Sequence, residues 1–223
     1  MDSLLLNFFN FAILQQAWPY LLKGLGMTAL LCLVVIPLGI AGGLGVALVS
    51  RAPQRWVRWT MVAYVDLFRA FPPLVLLMFL AFGLPFLGLD LPAFVAVALA
   101  FLLNTSSYYG EVIRAGIESV PAGQHEAARS LGLSAGQSMR HVVLPQAVRN
   151  VLPDLIGNTL EVVKLTSIAS VVALPELLYA ARQAQAVTYN ATPVIAAGII
   201  YLVCLWPLVR LLSRFEHQQL AMR

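Results

Sequence analysis

"EAARSLGLSAGQSMRHVVLP", residues 126–145, is a stretch fit for water inside a chain that is 60% hydrophobic. It sets charge, glycine and serine at ordered intervals. Gly132 reads as the end of one short helix. Ser134 reads as the N-cap of the next, with Gln137 three residues on as its capping-box partner. That second helix is expected to continue to Leu144–Pro145. The local fold is therefore helix, glycine turn, helix. Leu131, Leu133, Met139 and Val143 are expected to face protein or bilayer, and Glu126, Arg129 and Arg140 to face water. Such a piece is either an amphipathic connector or a docking surface for a partner.

The flanking sequence decides the fold class. Charged residues make up 11% of the chain and the mean hydropathy is +0.83, against about 25% charged in a soluble domain. Five apolar segments follow one another: Leu25 to Val49, Val57 to Leu87, Pro92 to Ile117, Pro153 to Leu178, and Pro193 to Leu212. Each is long enough to span a bilayer as a helix. The expectation is an all-α membrane protein of five transmembrane helices, a single domain over 1–223, with the polar loop over 118–150. The second segment exceeds the ~20 residues an upright helix needs, so Pro72–Pro73 is predicted to bend or break it. Residues 1–24 lack a basic n-region and do not read as a cleaved signal peptide. Phe8, Phe9, Phe11 and Trp18 suit a helix lying in the membrane interface. "GIAGGLGVAL" (39–48) lies inside a span, so Gly39 and Gly43 are expected to serve close helix packing. Cys32 and Cys204 read as small buried hydrophobes.

Arginine sets the orientation. The loop after the first segment holds Arg51, Arg55 and Arg58, and the loop after the third holds Arg129, Arg140 and Arg149. The C-terminal tail holds Arg214 and Arg223. The opposite loops hold only Arg182, with Lys23 near the N-terminal edge. Basic loops stay in the cytoplasm, so the N-terminus is expected outside, and the C-terminus and residues 126–145 inside. The net charge of +4 follows from this bias and implies no nucleic acid.

Several charges fall where lipid should be. Asp66 and Arg69 lie in segment two, Glu111 in segment three, and Glu161 and Lys164 in segment four. At 1.5 Å per residue, Arg69 lies about 16 Å from the edge at Arg58, near the midplane of a core about 30 Å thick. Lys164 lies at a similar depth from Pro153. A charge there costs roughly 2.5–3.5 kcal/mol on insertion scales and should face the bundle interior, paired or wet. Asp66 with Arg69, and Glu161 with Lys164, have the i,i+3 spacing of intrahelical pairs. They are expected either to neutralise one another or to line a solute path. On the second reading, Arg69 or Lys164 meets a carboxylate, and Asp66, Glu111 or Glu161 meets an ammonium. Asn104, Ser107 and Thr166 are polar candidates for the same path.

Glu126-Ala127-Ala128, then Gly132, then Val142 and Leu144-Pro145 resemble the EAA motif of ABC transporter permeases, with Val142 in place of the usual Ile. "GEVIRAGIESVPAGQHEAARSLGLS" and "VVLPQAVRNVLPDLIGNTLEVVKLTSIASVVALPELL" look like the polar amino-acid uptake branch, as do "LLKGLGMTALL" and "FRAFPPLVLL". The resemblance covers most of the chain. Two departures, Ala70-Phe71 for Gly-Thr and Leu165 after Lys164 for Asp, bear on which substrate is carried. The resemblance implies a type I importer permease in the bacterial inner membrane. Its polar loop would be the coupling helix, seated in an ATPase subunit through Glu126, Ala127, Ala128, Gly132, Leu144 and Pro145. The implied partners are a second permease, identical or homologous, two ATP-binding subunits and an external solute-binding protein. The implied substrate is a polar amino acid.

The remaining motifs agree with a transport subunit that is not itself an enzyme. A P-loop needs Gly-Lys-Ser/Thr, yet the only lysines, Lys23 and Lys164, are followed by Gly24 and Leu165. ATP and magnesium would act on the partner, and this chain is expected to bind no cofactor. "HEAAR" (125–129) lacks the second histidine of a zinc motif, so no metal is expected. Two rival classes remain: an autonomous ion-coupled carrier or channel, which leaves the EAA pattern unexplained, and an intramembrane enzyme, for which no nucleophile and base stand at a suitable spacing.

Overall fold

The computed structural model describes residues 7–221. Helix α1 (Phe11–Val49) opens the fold, capped by the Asn10 side chain, which accepts from the Ile13 amide at 3.2 Å. Its buried residues, from Ala17 and Leu21 to Gly39, Gly43 and Ala47, recur every three or four positions and form one stripe. Leu22, Leu30, Leu33, Leu38 and Ile40 point away from the protein, as on a helix with lipid on one side. Of the expected interfacial segment over 1–24, residues 1–6 lie outside the described residues, Asn7 and Phe8 are helical, and Phe9 and Asn10 break that helix from α1. Phe11 and Trp18 belong to the continuous 39-residue α1, which at 1.5 Å per residue is about 58 Å long.

Helices α2 (Arg55–Ala70) and α3 (Pro73–Met78) are the halves of the second segment. Phe71 and Pro72 are extended, with ψ of 125° and 127°, because a residue before proline is pushed out of the helical region. The axis turns by 99° there, the bend of a broken span or of a re-entrant loop. A π turn (Phe79–Gly83) and a 3-10 turn (Leu84–Leu87) continue α3. Helix α4 (Ala93–Glu118) makes its most extensive contact with α1. A Cβ at Gly39 would lie 2.5 Å from Thr105 Oγ1, and one at Gly43 would lie 2.5 Å from Tyr109 Cβ. The glycines of α1 are what let the two backbones meet.

The polar segment folds as α5 (Ala122–Ser130), α6 (Ala135–Ser138), a π turn (Met139–Val143) and α7 (Leu144–Asn150). The helix expected to end at Leu144–Pro145 runs on to Asn150. A proline ring clashes with the carbonyl four residues back, and here a widened π turn immediately precedes Pro145. The same device precedes Pro85 in the α3 extension.

Helix α8 (Leu152–Leu165) tightens into a 3-10 turn (Thr166–Val172) that ends at Ala173, φ 56°. The fourth span therefore stops short of the expected Leu178. Leu177 instead starts α9 (Leu177–Thr188), capped by Glu176, which the sequence reading did not separate. Helix α10 (Thr192–Ala221) closes the chain. No strand occurs among the described residues. Four described helices are long and apolar enough to cross a membrane, or five if the bent α2–α3 pair is one span. Cys204 is exposed on α10 and Cys32 is half-buried, so an apolar neighbourhood here does not mean burial: lipid serves as the solvent. Of the basic tail, Arg223 lies outside the described residues, and the side chain of Arg214 is not described.

The core has three parts. Leu31, Val35, Leu77, Val97, Phe101 and Val162 fill the middle. Ala17, Leu21, Leu177, Ala181 and Ala197 pack the end nearest α9. Ala47, Ile113, Ile117, Val143 and Ala147 pack the other end, where α7 docks against α4.

Candidate functional site

The α5–α7 segment is held firmly and presents an open face. Helix α5 closes in a Schellman turn: Leu133 N–H donates to Ala128 O at 3.2 Å and Gly132 N–H to Arg129 O at 3.0 Å. Gly132 has φ 84°, a conformation that suits only glycine well. The Ser134–Gln137 capping box forms in both directions. Gln146 Nε2 donates to Gln124 Oε1 at 3.3 Å and Asn150 Nδ2 to Ser119 Oγ at 2.8 Å, which ties α7 to α5 and to the end of α4. Val143 and Ala147 are fully buried, and a Cβ at Gly116 would lie 2.8 Å from Ala147 O. Of the motif residues, Ala128 is buried, Leu144 is half-buried, and Glu126, Ala127, Gly132 and Pro145 are exposed. Leu131, expected against protein or bilayer, is 83% exposed at the turn. Leu131 thus stands exposed between Ala127 and Gly132, on a segment whose other side is packed against α4.

The charged residues of the spans separate into two groups. Glu161 and Lys164 form the expected intrahelical ion pair on α8, and both side chains are exposed. Asp66 and Arg69 do not pair. The Arg69 guanidinium sits over the Tyr108 ring, 5.4 Å from its centroid, and Asp66 has no ion pair among the described residues. Both line a crevice of about 560 Å³ between α1, α2 and α4. Across it, Arg114 binds both oxygens of Glu111, at 2.6 and 2.9 Å, and reaches Glu118 at 2.6 Å. Arg114 and Glu118 were missed in the sequence, although Glu111, Arg114 and Glu118 stand at i, i+3 and i+7, the spacing that flagged the other pairs. The last-turn carbonyls of α2 are tied to α4: Phe68 O accepts from Asn104 Nδ2 at 3.1 Å and Arg69 O from Tyr108 Oη at 3.4 Å.

Asn104, Ser107 and Thr166 are buried and bonded to backbone. Besides the Asn104 bond, Ser107 Oγ donates to Asn104 O at 2.6 Å and Thr166 Oγ1 to Val163 O at 2.7 Å. Asn104 ties α4 to α2, and Ser107 and Thr166 bond within their own stretch of helix, while Asp66, Arg69 and Glu111 line the crevice. A groove of about 670 Å³ between α1 and α9 is mostly apolar, with Lys23 as its one charged residue.

Glu176 was also missed. Its side chain is fully buried at the start of α9 and accepts from Leu178 N–H (2.8 Å), Tyr179 N–H (2.6 Å) and Tyr201 Oη (3.1 Å). Leu177 N–H donates to Thr28 Oγ1 at 3.1 Å. Helices α1, α9 and α10 thus meet at one polar knot. Its only sequence signal was an acidic residue after Pro175, the position of a helix N-cap.

Comparison with known proteins follows the same lines. The family described as binding-protein-dependent transport system inner membrane component matches residues 35–218. A probable amino-acid ABC transporter permease of Bacillus subtilis (strain 168), YckA, is 36% identical over 88% of this chain and 88% of its own length. The arginine transport system permease ArtQ of the same organism is 36% identical over 83% of this chain and 85% of its own. A crystal structure of an amino acid ABC transporter with histidines superposes with a TM-score of 0.85 at 36% identity, covering 94% of this chain and 98% of that one.

Proposed function

The chain belongs to the family of binding-protein-dependent transport system inner membrane components, as an importer permease of the type I fold, and from that premise we propose what it carries and how it is driven. The cargo is a polar amino acid, a reading supported by the names of the relatives at 36% identity. The observation that carries the mechanism is the α5–α7 segment, clamped to α4 through Val143, Ala147 and Asn150 and exposed at Glu126, Ala127, Leu131 and Gly132. A partner ATPase that grips this face moves α4 directly. The ATP and magnesium act on that partner, and this chain holds no cofactor of its own. A second permease, identical or homologous, is supported by Glu161 and Lys164, exposed on a span. Charges at membrane depth need protein or water beside them. A solute-binding protein delivers the cargo from outside, and arginine placement supports a cytoplasmic α5–α7 face.

The test is reconstitution of the permease with its ATPase subunits and solute-binding protein in proteoliposomes, with uptake of the twenty common L-amino acids measured. ATP-dependent uptake of at least one is expected. Glu126→Arg is expected to lower uptake about tenfold or more, by setting a wrong charge against the docking partner, while the permease still inserts. Uptake of no amino acid would refute the cargo, and undiminished uptake by Glu126→Arg would refute the docking face.

A further inference from the structure

We propose that the turn between α1 and α2 is a binding site for an anionic phospholipid, with the phosphodiester headgroup held by Arg51 and Arg55 and the glycerol end of the acyl chains resting against Trp56 and Trp59. The proposal is independent of what the chain carries.

Charge comes first. Arg51, Arg55 and Arg58 fall within eight residues, and no acidic residue occurs between Asp2 and Asp66. Arg58 is taken up locally: it donates to Ala52 O at 3.4 Å and lines the crevice. Arg51 and Arg55 are exposed, and neither has an ion pair among the described residues. The turn that carries them is folded back on α1. Arg51 N–H donates to Leu48 O at 3.1 Å, Ala52 N–H to Val49 O at 2.9 Å, and Ser50 Oγ to Val46 O at 2.7 Å. Two guanidinium groups thus rise from a held backbone, and such groups give charge-assisted, bidentate hydrogen bonds to phosphate. The carboxylate that shares the crevice with Arg58, Glu118, is already bound by Arg114. The ammonium of a zwitterionic headgroup therefore has no open partner here, and the headgroup that fits is anionic. The neighbouring surface comes next. Trp56 and Trp59 are each 72% exposed. With Ala63 and Leu67 they recur at i, i+3, i+7 and i+11, an exposed apolar stripe that runs along α2 away from the arginines. Tryptophan at the end of such a stripe sits at headgroup level, where its ring meets both lipid and water. A partner in water meets the arginines but not the stripe, whereas a phospholipid meets both. Finally, Ala47, on the last turn of α1, belongs to the same buried cluster as Val143 and Ala147. The turn therefore stands at the α5–α7 end of the molecule, and the lipid belongs to the leaflet on that side.

The experiment uses the permease–ATPase complex in nanodiscs of phosphatidylethanolamine and phosphatidylglycerol in equal parts. A diazirine near the glycerol end of one acyl chain is carried by either lipid in turn, and the residues labelled on illumination are mapped by mass spectrometry. Phosphatidylglycerol is expected to label residues 55–62 about tenfold or more above phosphatidylethanolamine, the effect of two basic side chains beside an anionic headgroup. Leu33, exposed on α1, serves as the reference and should show no preference. Arg51→Gln/Arg55→Gln should bring the ratio at 55–62 close to that at Leu33, and Arg51→Lys/Arg55→Lys, which keeps the charge, should retain most of it. Equal labelling of 55–62 by the two lipids would overturn the site, and so would the same preference at Leu33. A ratio undiminished in the Arg51→Gln/Arg55→Gln complex would overturn the role of the arginines. Residues 55–62 labelled by neither lipid would overturn the proposal in favour of a protein partner on this face. If a variant fails to assemble, the ratio at 55–62 against that at Leu33 still decides the matter in the parent complex. No transport is measured, so the outcome stands apart from the identity of the cargo.

Discussion

Gly43 shows how closely one residue can constrain the fold. An added Cβ there would lie 2.7 Å from Gly110 N as well as against Tyr109, whereas one at Gly26 meets nothing within 4 Å. Gly43→Ala is expected to cost about 1–3 kcal/mol, as overpacking does. Gly26→Ala should be neutral or gain up to about 1 kcal/mol of helix propensity. Melting of the two variants in one detergent checks the contrast. Glu176 makes a second residue-level prediction. Burial pushes its carboxyl above the usual range, against the pull of the Leu178 and Tyr179 amides and the Tyr201 hydroxyl. A folded pKa above the unfolded one gives stability that is complete below about 4.3, the ordinary glutamate value. That stability is lost as pH rises through the raised folded value. The native protein should therefore melt progressively lower as pH rises above about 4.3, and Glu176→Gln should flatten that dependence. Parallel melting curves against pH for the two proteins would refute this. Both residues differ in how legible they were. Gly43 stood in a glycine cluster within a span and announced itself. Glu176 stood in an apolar run, and nothing in one dimension shows that Tyr201 comes to meet it.

At the level of elements, local chemistry was the readable part. The proline pair breaks α2 from α3, Gly132 ends α5, and Ser134 with Gln137 starts α6, because each depends on backbone rules spanning a few residues. The errors arose where a breaker signal was weaker than the apolar run around it. Pro175 divides α8 from α9, yet "VVALPELL" reads as continuous. Pro145 looked like a terminus, and a π turn carried the helix past it. The Asp66–Arg69 spacing predicted a pair, and Tyr108, almost forty residues away, drew the arginine off. The α5–α6 turn permits a graded test. Gly132→Ala leaves the turn's hydrogen bonds possible and should cost only about 1–2 kcal/mol for the left-handed backbone. Gly132→Pro removes the amide that bonds Arg129 O and cannot adopt the positive φ. Uptake per ATP hydrolysed should fall little in the first and collapse in the second. Equal coupling in both would mean that the turn's shape is immaterial.

For the whole molecule, the bias of arginine predicts a sidedness that can be measured. With Cys32 and Cys204 replaced by serine, Val187→Cys, at an exposed position of α9, is expected to react with an impermeant thiol reagent in intact cells. Gln137→Cys, exposed on α6, should react only after permeabilisation. Labelling of Gln137→Cys from outside would reverse the orientation. The length of α1 has a further consequence. Its close seat on α4, from Gly39 to Gly43, leaves arms of about 42 Å toward Phe11 and about 9 Å toward Val49, at 1.5 Å per residue. In mechanical terms this is a lever with its fulcrum near one end. For a rigid rod of those lengths pivoting at that seat, a pull of 1 Å on the short arm would sweep the long arm by roughly 5 Å. Gly24 on that arm is in contact with the backbone of α9, so α9 must travel with it. On that geometry a small stroke delivered at one end of the helix would emerge at the other as a large one, with the force reduced in the same ratio.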